Sequence, residues 1–202
     1  MLTGFESDPM NIAFAAILGY LLGSIPFGLV LTRMAGLGDI RKIGSGSIGA
    51  TNVLRTGSKP LALLTLILDS GKGAAAALAA RYAAPELAPI AAVAAVLGHL
   101  FPVWLGFQGG KGVATTLGGL AALAWPVGLA AGVTWLVVAA IFRFSSLSGL
   151  ISIALAPIYA WYWSDSANAI AAAILAVFVW YRHKQNIQRL LAGEEPKIGK
   201  KS

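Results

Sequence analysis

The run Val113-Ala-Thr-Thr-Leu-Gly-Gly-Leu-Ala-Ala-Leu-Ala-Trp125-Pro126-Val-Gly128-Leu-Ala-Ala-Gly132-Val-Thr-Trp-Leu-Val-Val-Ala-Ala-Ile-Phe142 holds 30 residues and no charge. As one helix it would extend about 45 Å at roughly 1.5 Å per residue, too long for about 30 Å of hydrocarbon without extreme tilt. Pro126 near its middle, with Gly128 two residues on, makes a tight reversal the better reading. Two apolar helices are therefore expected, at about 113–125 and 127–142. That division sets the side of the membrane on which everything after it falls.

Working outward, further apolar segments occupy about 10–32, 61–81, 87–105, 149–163 and 167–182. With 57% hydrophobic and 11% charged residues among 202, and a mean hydropathy of +0.76, the chain lacks the polar shell of a soluble domain. Lipid gives backbone groups no partner, so spans are helices or closed barrels. Strict alternation is absent and Ala, Leu and Gly dominate, which selects helices. The expected fold is an all-α integral membrane protein of about seven transmembrane helices in a single domain over 1–202. Its N-terminus is expected outside, with a tail over 1–9, and its C-terminus in the cytoplasm, with a tail over 183–202. Glu6 and Asp8, with no Lys or Arg before the first span, do not make the basic start of a cleaved signal peptide.

Charge supports this parity. The net charge of +7 could signal nucleic acid, but its placement follows the positive-inside rule. Arg33, Arg41, Lys42, Arg55, Lys59, Lys111, Arg143, Arg182, Lys184, Arg189, Lys197, Lys200 and Lys201 fall inside, 13 of the 15 basic residues. Arg81 alone falls outside, with Glu6, Asp8, Glu86 and Asp165. Merging 113–142 into one span would send Arg143 and the basic tail outside. Five spans plus a re-entrant pair would satisfy the same parity. No nucleic-acid partner is expected. Trp161, Tyr162 and Trp163 suit one interface, and Trp180 with Tyr181 the other. Gly19-x3-Gly23 and Gly128-x3-Gly132 read as close contacts inside the bundle.

Four polar, glycine-rich islands interrupt the apolar chain, all on the inside face. Gly44-x-Gly46-x-x-Gly49 has the spacing of a dinucleotide fingerprint but follows a membrane helix rather than a strand. What remains is an anion loop: glycines that admit close backbone approach, the hydroxyls of Ser45, Ser47 and Thr51, and the fork of Arg55. Asp69 and Lys72 share a helix face and can pair, either as a structural ion pair or at a functional site. His99 through Thr116 contains Gly109-Gly110-Lys111-Gly112, which lacks the glycine and hydroxyl of a nucleotide P-loop. A helix starting at Gly112–Val113 would still aim its positive end at an anion beside Lys111. The fourth island is split between Arg143-Phe-Ser145-Ser146-Leu-Ser148 and His183-Lys-Gln-Asn186-Ile-Gln-Arg189, where His183 and Asn186 share a face. Two histidines and scattered carboxylates make no metal site and no carboxylate acid/base pair. No metal and no cofactor are expected.

In combination these islands resemble the bacterial acyl-phosphate glycerol-3-phosphate acyltransferase family. The matching text is Gly23-Ser-Ile-Pro26, Gly44-Ser-Gly46 through Asn52 to Arg55, Asp69-x-x-Lys72-Gly73, Gly98-His99 through Pro102, Phe107 through Thr115, Ser145-x-x-Ser148, and His183-x-x-Asn186 with Arg189 through Gly193 to Glu195. It runs in order along nearly the whole chain. One departure is Ser47, where the family commonly has Asn. The resemblance implies a multi-pass protein of the bacterial cytoplasmic (inner) membrane with its active site facing the cytoplasm. It implies transfer of a fatty acyl group from acyl phosphate to the 1-hydroxyl of glycerol 3-phosphate, yielding lysophosphatidic acid and phosphate, with membrane lipid around it. It also implies roles in catalysis for His183, Asn186 and Lys111. The same resemblance puts the glycerol phosphate group on Ser45, Arg55, Lys111, Ser148, His183 and Asn186, with Thr51, Lys72 and His99 in support.

Phosphate is a good leaving group, so direct transfer is expected, with His183, His99 or a substrate phosphate oxygen as the base. An organic-phosphate transporter would need the same spans and charges. Against it, no paired repeats occur and the polar residues keep to one side. A scaffold protein using its inside loops is the third reading.

Overall fold

A computed structural model describes residues 8–199. The expectations on Glu6, on most of the outer tail, and on Lys200 and Lys201 lie outside the described residues. Among the described residues ten α-helices follow one another: α1 Pro9–Gly23, α2 Phe27–Met34, α3 Ala50–Leu54, α4 Lys59–Ala83, α5 Ala88–Leu100, α6 Val113–Leu123, α7 Trp125–Phe142, α8 Ser145–Trp163, α9 Ser166–Arg182 and α10 Lys184–Leu191. Local chemistry sets their ends. The Asp8 carboxylate caps α1 by accepting from Met10 N at 2.9 Å, and Asp165 caps α9 by accepting from Asn168 N at 2.8 Å. Pro26 separates α1 from α2, which together form one apolar stretch, Pro9–Met34.

The reversal expected at Pro126 is present. α6 stops at Leu123, α7 starts at Trp125, and Ala124 between them is extended. Pro126 lies in the first turn of α7, where its missing N–H leaves no bond unmade.

The length of the first partner differs from expectation. With 11 residues, α6 is about 16 Å long at roughly 1.5 Å per residue. It reaches about half the hydrocarbon thickness, because the polar segment before it enters the bundle before the helix begins. Among the described residues five stretches are long and apolar enough to cross: Pro9–Met34, Lys59–Ala83, Pro85–Leu105, Trp125–Phe142 and Ser145–Trp163. α9, with 17 residues, is at the lower limit.

α5 occupies the middle, packed by α1, α4, α6 and α9. Lipid provides little hydrophobic drive between helices, so small side chains that admit close backbones hold the bundle. Ala91 and Ala95 of α5 are buried, and Gly19 and Gly23 of α1 lie so close that a Cβ would stand 2.6 and 1.9 Å from their carbonyl oxygens. The first glycine pair thus packs as expected. Further along, α6 is flanked by α4 and α7, which share no extensive contact with each other, and α8 joins α7 to α9. The shortened α6 between two long helices leaves a cleft.

Candidate active site

All four polar islands contribute to one cavity of about 810 Å³, entered from the loop end of the bundle and continuing into the cleft between α4 and α7, the Asp69 island through Asp69 and Ser70. The first is built by Asn52. Its Nδ2 donates to Ile40 O at 2.7 Å and Ser47 O at 2.8 Å, and its Oδ1 accepts from Ser45 N at 3.1 Å and Arg55 Nη1 at 3.4 Å. One buried amide therefore folds the loop and aims Ser45 and Arg55 at the cavity. Thr51 adds a hydroxyl 3.0 Å from that of Ser145 at the start of α8. Partial burial lowers the Arg55 pKa, yet a guanidinium remains cationic.

The island from His99 through Thr116 carries Lys111. Gly110 passes so close over His99 that a Cβ would sit 2.1 Å from His99 Nε2, and Gly112 has φ +83°, a backbone state that side chains resist. The Arg182 guanidinium fixes the strand, with Nη2 donating to Gly109 O at 2.9 Å and Nε to Gly110 O at 3.2 Å. Lys111 is left on the cavity wall just before the N-terminus of α6. Among the described residues it has no hydrogen bond or ion pair. Burial, with Arg189, Arg55 and Arg182 nearby, lowers its pKa to about 8. Glu195 opposes that shift.

The third wall is the junction of α9 and α10. His183 is buried, and its Nδ1 lies 2.7 Å from Val179 O. A carbonyl only accepts, so Nδ1 carries the proton and Nε2 presents a lone pair. Burial lowers the His183 pKa to about 4. Asn186 and Ser146 are organised by Glu195, whose Oε1 accepts from Asn186 Nδ2 at 2.6 Å and from Ser146 Oγ at 2.7 Å. Arg189 Nε donates to its Oε2 at 2.7 Å. Burial raises the Glu195 pKa, but these three bonds outweigh it, so the carboxyl titrates below its usual range. The segment from Glu195 to Gly199 lines the mouth of the cavity, pinned by Ile198 N donating to Arg143 O at 2.7 Å.

Ser45, Thr51, Arg55, Lys111, His99, His183 and Asn186 all reach the cavity. Lys72 and Ser148 do not line it. Ser148 bonds back to Phe144 O at 2.7 Å. Lys72 is 2.8 Å from Asp69 Oδ1, from Ile25 O and from His99 Nδ1. The Asp69 contact is ionic, with the ammonium hydrogens directed at Ile25 and His99. An ammonium only donates, so His99 accepts at Nδ1 and bears its proton on Nε2. Sequence reasoning assigned no role to Asn52, Ser146, Arg182 or Glu195. The pair of carboxylates Glu194 and Glu195 in an otherwise basic tail was the visible signal, without saying which of the two turns inward. Among the described residues no three His, Asp or Glu side chains converge on a metal.

The fold and this site define a class: an integral membrane protein with a cationic, hydroxyl-rich pocket that continues into an apolar cleft between helices. A family model described as glycerol-3-phosphate acyltransferase matches residues 13–193. A glycerol-3-phosphate acyltransferase of Paramagnetospirillum magneticum is 64% identical, covering 95% of this chain and 96% of its own. One of Rhodospirillum rubrum is 62% identical over 94% and 92%. The crystal structure of PlsY (YgiH), an integral membrane glycerol 3-phosphate acyltransferase, in its glycerol 3-phosphate form superposes with a TM-score of 0.88 at 37% identity, covering 93% of this chain and 96% of that one. Its lysophosphatidic acid form gives 0.86 at 36% identity, over 93% and 95%. The chain belongs to the glycerol-3-phosphate acyltransferase family.

Proposed function

We propose that the protein moves a fatty acyl group from acyl phosphate to the 1-hydroxyl of glycerol 3-phosphate, releasing lysophosphatidic acid and phosphate. The observation that carries this reading is one cavity joining a cationic end, at Arg55 and Lys111, to an apolar cleft between α4 and α7. A water-soluble phosphate and a lipid-borne acyl chain meet only at such a junction. Arg55, Lys111, Ser45 and Thr51 bind phosphate oxygens by charge-assisted bonds. Asn186, held by Glu195, and His183, whose Nε2 accepts hydrogen bonds, hold the glycerol moiety so that its 1-hydroxyl faces the acyl phosphate. Lys72 and Ser148 act from behind, Lys72 by holding His99 beneath the Gly110 backbone.

In the transfer step the hydroxyl oxygen bonds to the acyl carbon, the carbon–oxygen bond to phosphate breaks, and phosphate departs with that electron pair. The hydroxyl proton passes to a phosphate oxygen of the substrates. A phosphate whose second pKa is about 6 is the stronger base beside a His183 at about 4. Release of inorganic phosphate makes an enzyme-bound acyl intermediate unnecessary.

We place the chain as one domain in the bacterial inner membrane. The cavity mouth and the tail from 183 face the cytoplasm, the N-terminus lies outside, and α6 with the loop before it forms a half-span. The chain has no native cysteine, so single cysteines report topology. Cysteines at Ser47, Gln108, Ser146 and Gln188 should resist an impermeant reagent added to spheroplasts, and one at Ser166 should react. Labelling at Ser146 would split the site across the bilayer and end this placement.

Purified protein in detergent, given glycerol 3-phosphate with palmitoyl phosphate or with palmitoyl-CoA, should yield lysophosphatidic acid from the phosphate alone. No gradient exists there, so product also excludes a transporter. Equal rates from both donors would refute the donor assignment.

A further inference from the structure

Gly128 and Gly132 lie one turn apart on α7, and their spacing reads as a close-packing pair. The structure separates them. A Cβ on Gly128 would stand 2.4 Å from Ala121 Cα of α6, so Gly128 is required by close approach. A Cβ on Gly132 would meet nothing within 4 Å. Gly132 is also absent from the positive-φ glycines, so neither conformation nor contact calls for a glycine there. A glycine inside a helix is less favourable than alanine, which leaves this one unexplained by the fold.

Its surroundings supply the reason. Gly132 lines the cavity together with the apolar side chains of Val133 and Leu136 of α7, Leu66 of α4 and Leu117 of α6. Leu66 and Leu136 are 44% and 63% exposed, so the slot opens into lipid. Gly132 is ten residues from Phe142, about 15 Å along the axis at roughly 1.5 Å per residue. A chain extending from the cationic end toward the bilayer centre must pass it.

We propose that Gly132 sets the acyl-chain length the enzyme accepts, its missing side chain keeping the slot between α4 and α7 open for long chains. The inference rests on acyl phosphate being the donor. A side chain at 132 projects into the slot and excludes the distal methylenes, while chains ending short of it keep their full contact.

The test compares wild type with Gly132→Ala and Gly132→Leu on octanoyl, lauroyl, palmitoyl and stearoyl phosphate, measuring lysophosphatidic acid. Burying a methylene is worth roughly fourfold in binding, so Gly132→Leu, by excluding about two, should lower the palmitoyl-to-octanoyl ratio of kcat/KM by about tenfold or more. Gly132→Ala, which favours the helix, should shift the ratio in the same direction by less, and covers the case in which Leu impairs folding. The glycerol 3-phosphate KM should stay unchanged. A profile parallel to wild type in both variants, or equal loss at every chain length, would overturn the assignment. A wild-type protein that uses no acyl phosphate would instead refute the donor reading.

Discussion

Gly71-Lys72-Gly73 and Gly110-Lys111-Gly112 are the same tripeptide in two electrostatic situations. The first lies inside α4, where helical spacing puts Asp69 one turn from Lys72 and the bundle adds Ile25 O and His99. The second lies in the extended segment before α6, with no carboxylate in bonding range among the described residues. The two nearly touch: a Cβ on Gly73 would stand 2.2 Å from Thr115 O of α6. One lysine has its charge satisfied by the protein. The other stands on the cavity wall with no ionic partner among the described residues, the arrangement on which its proposed phosphate contact rests. A cation amid apolar sequence is therefore structural or functional according to the partners its backbone conformation allows.

The largest effect expected from this contrast is on stability. Lys72→Met leaves Asp69 buried and unpaired and should cost about 3–5 kcal/mol, read as a lowered unfolding temperature in detergent. Adding Asp69→Leu should restore much of the loss, since replacing both charges is tolerated better than removing one. Lys111→Met should leave the unfolding temperature near wild type. The reverse pattern would invert the roles of the two lysines.

Catalysis should respond the other way, by a somewhat smaller amount. Lys111→Met and Arg55→Ala each remove a charge-assisted contact worth about 1.5–3 kcal/mol, which lowers kcat/KM for glycerol 3-phosphate roughly 10- to 150-fold. Wild-type kinetics from either folded variant would remove that residue from the site.

The smallest effect is graded with pH. Burial holds the Lys111 pKa at about 8, below its ordinary value, so the cation is lost as pH rises through about 8. kcat/KM should then fall above that pH, and Lys111→Arg should move the alkaline limb upward. On the acid side, His183 stays neutral down to about 4, whereas a substrate phosphate gains its proton near 6. A limb near 6 is expected. A limb near 4 would make His183 the base.

Helix class, the order of apolar segments, the reversal at Pro126 and the start of α6 at Val113 were legible along the chain. Each follows from local chemistry: a hydrocarbon solvent forbids unpaired backbone, proline breaks a helix, and glycine precedes one. That the Ser45–Arg55 and Gly109–Gly112 islands concentrate glycines, hydroxyls and cations was legible for the same reason, since such features lie within a few residues of one another. Asn52 as the organiser of its loop, and Glu195 reaching Ser146 from 49 residues away, came only from the folded chain, because a hydrogen bond between distant residues leaves no periodicity. The same limit separated Gly128 from Gly132, identical in spacing and opposed in surroundings. It also separated Lys72 from Lys111. Residue type and spacing say which groups need a partner, and three-dimensional packing alone says which of them find one inside the protein.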